Sequence, residues 1–410
     1  PRIDRSAVWA HKRWALEEVW EQVHDRADVR ARVDTAVAAD PDLHLWGTYC
    51  VLADRHGPAW PAWPMSLRRP DAPAVADAAR LADADVRFWM WLQVLVADQL
   101  RAAGGPSTVV TDLAVGFAAD GFDAWQWQDL LALDARIGAP PDLLGPDGQD
   151  WGLPPFVPWR LRDAAYQPVV ATLRAAFAHA RGVRIDHVMG LSRLFWIPPG
   201  FGPADGAYVH HRGTELLDVL ALESVRAGGF VVGEDLGTVE DALRTELARR
   251  GVLSTRLLWF EDEPPERWPV EAMAAVTTHD LPTVAGVWSG LDRADQVAAG
   301  FGAPPEADAE MRHHLRVASS LPDDANEADV AVGVHRRLAG AGSRLATATL
   351  DDLAGSRRRP NLPGTIDEHP NWRLPLPRPL DEVLAAPLAD RIATALATGR
   401  TTRPEPPEAC

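Results

Sequence analysis

Three short apolar runs in this chain end on an acid: Asp186 in VRIDHVMG, Glu234 in GGFVVGEDLG and Asp280 in MAAVTTHDLPT. The acids lie roughly one strand-plus-helix unit apart, so successive parallel strands can deliver all three to one rim. Helical patterns fill the intervals. Val169, Val170, Leu173, Phe177 and Ala180 recur at helical spacing, with Gly182 read as the stop, before the strand ending in Asp186. LLDVLALESVRAGG precedes FVV and GEDLG, and TVEDALRTELARRG, with Thr238 as candidate N-cap and Gly251 as stop, precedes the strand-like STRLLWF. AMAAV then ends at THD, and SRLATATLDDL is the last apolar run. Upstream, Phe88, Trp91, Leu92, Leu95 and Gln99 share a helical face closed by Gly104 and Gly105, and STVVTDLAVG reads as a strand entering a loop. No GxGxxG follows a strand, so a dinucleotide fold has no motif to support it. The rhythm predicts an α/β chain of (β/α)8 type with a helical excursion at about 290–342, a C-terminal helix at 386–398 and a disordered tail at 399–410. Residues 1–80 read as one charged amphipathic helix followed by a Pro/Trp-rich segment without an assigned element.

A chain of 410 residues, 47% hydrophobic, can bury a large core. Its 41 Lys and Arg against 58 Asp and Glu give a net charge of -17, which disfavours DNA or RNA as a partner and leaves a neutral ligand open. No apolar run approaches the ~20 residues of a membrane span, so no membrane partner is expected. Cys50 and Cys410 are far apart, neither a disulfide framework nor a metal knuckle, and the default compartment is the cytoplasm. The composition specifies no oligomeric state. The first residue is Pro1 and the opening PRIDRSAVWAHKRWALEEVW already reads as helix, so the chain is expected to be a fragment.

Seventeen Trp against three Tyr is an unusual surplus of indole. Indole faces stack on the C–H faces of sugars while carboxylates and amides take the hydroxyls, so surplus Trp with surplus acid suits a carbohydrate groove. Trp14, Trp89 and Trp91, on predicted helices, read as core filling. Trp151 lies in the Gly/Pro-rich GPDGQDWGLPP, where no helix or strand explains it, and reads as a ligand contact. The pairs His210-His211 and His313-His314 lack ligand spacing because adjacent side chains point apart, so no catalytic metal is expected. His210 reads as loop polarity and His313 as helix surface. Neither a GxSxG elbow nor a P-loop is present.

Glycosidic cleavage needs one ionised carboxyl group and one that holds a proton. Arg184, two residues before Asp186 on the same strand face, supplies a cation that keeps Asp186 ionised, which suits a nucleophile. Glu234, with Asp235 as a second acid beside it, suits the general acid and then base. Asp280 and His279 can reach adjacent hydroxyls of one sugar. Each acid alone could be a helix N-cap or a loop residue; three at consecutive strand ends are poorly explained that way.

The segments RIDHVMGLSRLFWIPPG, GAYV, VVGEDLG, TTHDLPTVAGVW and NLPGTIDEHPNWRLPL resemble the 4-alpha-glucanotransferase family, also called amylomaltase or disproportionating enzyme, in its actinobacterial branch, from near residue 1 to about 385. The resemblance implies a (β/α)8 TIM barrel of the alpha-amylase superfamily with helical insertions, and a retaining glycosyltransferase that passes a covalently held glucan segment to another sugar. It implies Asp186 as nucleophile, Glu234 as acid/base and Asp280 as transition-state stabiliser. It further implies substrate-binding roles for Arg184, His187 and His279, for Gln149 and Trp151 in a loop lining the donor sites, and for Asn361 and Pro363 in NLPGT. It implies no cofactor, and maltooligosaccharides, maltodextrin and starch- or glycogen-derived alpha-1,4-glucan as substrates. Leu281 and Pro282 stand where many members have Asn-Asp, and Val188 and Met189 where many have Phe-Arg; these departures are expected to alter acceptor sites. Members carry a further N-terminal stretch with the first barrel strand, so residues 1–385 are expected to be an incomplete catalytic barrel, weakly active by itself. The alternatives are an alpha-glucan hydrolase using the same acids and a non-catalytic carbohydrate-binding barrel.

Overall fold

The computed structural model describes residues 2–104, 108–141, 147–237, 239–300 and 305–400. Two compact units divide it, Trp9–Val252 and the remainder, Pro1–Val8 with Leu253–Cys410.

The larger unit opens with helices. Arg5–Val23 runs into it, followed by Ala27–Ala39, Asp42–His56, Pro73–Leu81 and Asp83–Ala103. The segment that sequence left unassigned is thus largely the helix Asp42–His56 and two short turns, whose indoles close a core: Trp63 and Trp125 are fully buried beside Tyr49 and Trp60. Each indole N–H finds a main-chain acceptor, Trp63 on Gly57 at 2.8 Å and Trp125 on Leu67 at 3.2 Å, so burial leaves no donor stranded. Truncating such a residue typically costs about 3–5 kcal/mol. Trp91 is buried, as core filling requires, whereas Trp14 is 65% exposed and Trp89 is half-buried, stacked on Trp9.

Seven strands follow: β1 (Val110–Leu113), β2 (Arg136–Ala139), β3 (Gln149–Leu153), β4 (Gly182–Ile185), β5 (Arg193–Ile197), β6 (Ala207–His210) and β7 (Phe230–Gly233). β1, β4 and β7 form a parallel sheet in that order, and β3, β2, β5 and β6 an antiparallel one. Helices Gln167–Phe177 and Glu215–Ala227 precede β4 and β7, packing Leu173, Phe177, Leu217 and Leu220 with Val183, Ile185 and Val231. Such burial is why FVVG reads as a continuous apolar run and GVRI as one interrupted only by Arg184. Gly182 does not stop the preceding helix. It opens β4, where a Cβ would stand 2.6 Å from the Phe230 ring, so the residue is needed for the close approach of the two strands. Gly251, at φ +69°, does follow the helix Asp241–Arg249. Glu240 takes that helix's N-cap position; Thr238 and Gly105 lie outside the described residues.

In the other unit β8 (Ser254–Leu257), β9 (Ala272–Ala275) and β10 (Leu345–Thr347) form a parallel sheet, β9 central. Helices Val284–Ser289, Leu291–Ala298, Pro305–Ser319 and Glu327–Leu338 lie between β9 and β10 in the chain, and Pro387–Arg400 follows. Their shared core includes Trp259, Val276, Trp288, Val330, Leu338 and Ile392. The α/β class is as the sequence predicts; among the described residues the parallel ladder of each unit has three strands and closes into no ring of its own. Residues 401–410 of the expected tail lie outside the described residues. No described helix is long and apolar enough to cross a membrane.

Candidate active site

In the larger unit the functional groups cluster where β1, β4 and β7 end. Arg184 and Asp112 are register partners across β4 and β1. The Arg184 Nη1 donates to Asp112 Oδ1 at 2.7 Å and lies 3.1 Å from Asp186 Oδ1. One largely buried guanidinium thereby orients two carboxylates, and a cation held between them limits their mutual repulsion. Sequence reasoning missed Asp112, although VVTD repeats the signal that marks the other acids, an apolar run ending on Asp.

Asp186 follows β4 and Glu234 follows β7, directly beyond the register pair Ile185 and Gly233. Main-chain bonds continue the ladder here: Asp186 N–H donates to the Leu113 carbonyl and Glu234 N–H to the Ile185 carbonyl, both at 2.9 Å. The Glu234 carboxyl receives two main-chain N–H groups, His187 on Oε2 and Leu236 on Oε1, each at 2.9 Å. Burial nevertheless raises its pKa above the usual carboxylate value, helped by the Asp186 charge. The second acid acting on Glu234 is therefore Asp186. Asp235 instead is buried, with Oδ2 3.6 Å from Arg244 Nε.

Trp151 is not in a loop. It lies on β3, whose alternation puts Gln149 and Trp151 on one face and Asp150 on the other, paired with Arg136 at 2.6 Å. The Trp151 indole donates to Gln149 Oε1 at 3.0 Å and meets the His187 ring edge-on, centroids 5.2 Å apart. His187 adopts φ +47°, an uncommon conformation for a non-glycine residue, immediately after Asp186. Gln149, Trp151 and His187 are thus brought to the nucleophile's side of this unit. Val188 and Met189 are buried in the core beneath, so these departures are packing residues rather than acceptor-facing ones.

A cavity of about 280 Å³ lies under Asp186 and His187, lined by Leu113, Phe156, Ile185, Leu191 and Leu216, with His211 at its edge. Burial holds His211 and His187 down to about 4. Since an unfolded His titrates near 6.5, the unfolded chain binds more protons than the folded one between about 6.5 and 4, and stability falls as pH falls through that window. The raised Glu234 works in the opposite direction, so the comparison must be differential. Melting curves at pH 7 and pH 5 are expected to show a smaller loss of melting temperature in His211→Gln than in the parent; an equal loss would remove His211 as a contributor. His210, on β6, is exposed, and His313 lies exposed on its helix.

In the other unit, Asp280 lies beyond β9 in a loop pinned from several sides. Asn361 Nδ2 donates to Asp280 Oδ1 at 2.7 Å, His279 Nε2 lies 3.3 Å from Asp280 Oδ2, and Arg359 Nη1 donates to the Asp280 carbonyl at 3.1 Å. Thr283 caps the next helix, accepting from Gly286 N–H at 3.0 Å, and Asp352 accepts from Val284 N–H at 2.9 Å. The His279 ring lies 5.3 Å from that of Trp372, an exposed indole at φ +57°. Asn361 and the exposed Pro363 share a loop tied by Asn371, which accepts from Leu362 N–H and donates to Thr365. Pro282 is buried and Leu281 packs on the unit's core, so these departures too are structural.

The fold is the α/β architecture of the alpha-amylase superfamily with helical insertions. Residues 1–381 match the glycoside hydrolase family 77 model, described as 4-alpha-glucanotransferase, and the chain belongs to that family. It is 40% identical over 441 residues to a 4-alpha-glucanotransferase of Mycobacterium tuberculosis H37Rv, covering 100% of this chain and 60% of that protein. A crystal structure of amylomaltase from Corynebacterium glutamicum superposes with a TM-score of 0.83 at 34% identity, over 97% of this chain and 60% of that one. An amylomaltase from Streptococcus agalactiae in complex with acarbose, at 17% identity, shares the fold with a TM-score of 0.82, over 97% of this chain and 80% of that one. The chain spans about 60% of the length of the relatives it matches.

Proposed function

We propose that the chain carries the catalytic groups of a 4-alpha-glucanotransferase, which moves a segment of alpha-1,4-glucan onto glucose or another maltooligosaccharide with retention of configuration. The observation that carries this reading is the pair Asp186 and Glu234 one step beyond a register pair of adjacent parallel strands. Neighbouring strands are about 4.8 Å apart, which suits the carboxyl separation of about 5–5.5 Å in retaining enzymes rather than the about 6.5–9.5 Å of inverting ones. Asp186, oriented by Arg184, attacks the anomeric carbon of the donor while Glu234 protonates the departing glycosidic oxygen. Glu234 then takes a proton from the acceptor hydroxyl as that oxygen displaces Asp186. Asp280 has the role of transition-state stabiliser that the family resemblance gives it, with Asn361 and His279 holding its carboxylate. Trp151, Gln149 and His187 supply an aromatic face and polar groups for a sugar ring beside the nucleophile; Pro363 contributes apolar surface near Asn361. Maltodextrin and starch- or glycogen-derived glucan are the proposed donors, and the cytoplasm the proposed setting.

Incubating the intact protein with maltotriose tests the reading. Transfer gives glucose together with a ladder of maltooligosaccharides longer than the substrate. Only shorter products would favour the hydrolase, and tight binding without turnover the carbohydrate-binding barrel.

A further inference from the structure

Beside the loop that carries Asp280 lies an arrangement that substrate contact does not explain. Arg359 and Asp292 form a buried ion pair, Nε to Oδ1 at 2.7 Å and Nη2 to Oδ2 at 2.5 Å, with both residues less than a tenth exposed. Burying two charges costs desolvation, and apolar replacements of similar volume are often as stable, so this pair is weak support for a purely stabilising role. What the pair does provide is aim. Both fork atoms are committed to Asp292, which fixes the guanidinium plane and leaves Nη1 pointing at the Asp280 carbonyl, 3.1 Å away. The same short segment holds the Asp280 carboxylate, since Asn361 donates to Oδ1 at 2.7 Å. Its own backbone is anchored by His369, whose Nε2 lies 3.1 Å from the Arg359 carbonyl. Residues 359–361 therefore grip Asp280 at its main chain and at its carboxylate.

We propose that Arg359, locked by Asp292, is a positioning residue for Asp280, fixing the peptide from which the transition-state carboxylate projects. The proposal rests on the transferase reading above. Charge development in the transition state is sensitive to placement, and misplacement by about 1 Å can cost about 100-fold in rate. The expected signature is a loss in kcat with little change in KM.

The test compares Asp292→Asn, Arg359→Lys, Asp280→Asn and the two double variants of the intact protein. Fluoride release from alpha-maltosyl fluoride and transfer from maltotriose are followed, with thermal melting alongside. Arg359→Lys keeps the charge pair but lacks the fixed third donor, so it is the informative variant should Asp292→Asn fail to fold. Arg359→Lys is expected to lower kcat about 10–100-fold, to leave KM within about twofold, and to add nothing in the Asp280→Asn background, because its effect passes through Asp280. An equal loss in both backgrounds would assign the pair a general structural role and overturn the proposal. So would normal kcat in Arg359→Lys when Asp280→Asn is severely impaired. Normal transfer by Asp280→Asn itself would overturn the catalytic reading of Asp280, and the positioning role with it.

Discussion

Asp186→Asn in the intact protein is expected to fold normally and to lose transferase activity by about 10⁴-fold or more, in the range seen when a covalent nucleophile is removed. The substitution keeps the shape at the end of β4 and an oxygen that can face Arg184, so the Arg184 bond to Asp112 at 2.7 Å should survive. What disappears is the anion that forms the bond to the anomeric carbon. The loss should exceed that from altering Gln149, Trp151 or His187 one at a time, since each of those only binds. Maltotriose kinetics and a trapping experiment with a slow 2-fluoro donor decide the matter: the parent should carry a sugar on Asp186 in mass spectra of peptides, and the variant none. Near-normal transfer by Asp186→Asn would make the nucleophile assignment wrong.

Glu234→Gln should have the next largest effect, about 10²–10⁴-fold on maltotriose, the range for a removed general acid. The loss in kcat/KM, which reports formation of the glycosyl-enzyme, should be much smaller with alpha-maltosyl fluoride, because fluoride leaves without protonation. The pH profile supplies a second signature. Glu234 is raised by burial and by the Asp186 charge, so the protonated form needed for leaving-group departure persists to higher pH than for an ordinary Glu and is lost as pH rises through the elevated value. The alkaline limb of kcat/KM on maltotriose should follow this group and vanish in Glu234→Gln. An alkaline limb unchanged in the variant would assign that proton to another residue.

The sequence made the ends of β4, β7 and β9 legible because strands buried on both faces write themselves as apolar runs, and an acid directly after such a run stands out. The string VVTD gives a weaker form of the same signal for Asp112, which lies inside β1, a strand without a buried residue. Other features were hidden because their causes are tertiary. Gly182 resembles a helix stop locally, and only the Phe230 ring across the ladder explains why it opens a strand. β3 could not be read from a Gly/Pro-rich string because its partner is β2 and its register carries an irregularity between Ile137 and Gly138. Adjacency points to Asp235 as the electrostatic neighbour of Glu234, but consecutive residues leave a strand on opposite sides, and the acid that counts follows β4. Arg359 and Asp292, 67 residues apart, share no local pattern at all.

The pairing of Arg184 with Asp112 joins residues 72 positions apart, and His187 with Glu234 spans 47. Loop-closure entropy of that size must be met before these contacts contribute anything, whereas the main-chain hydrogen bonds inside the helices of residues 27–103 close over about four residues and need no such closure. In refolding, helical circular dichroism should thus be recovered well ahead of the carboxylate geometry. By the same logic, a mildly destabilised chain would keep its helical signal while losing its chemistry. Ellipticity at 222 nm alone is consequently a poor certificate of competence for this molecule.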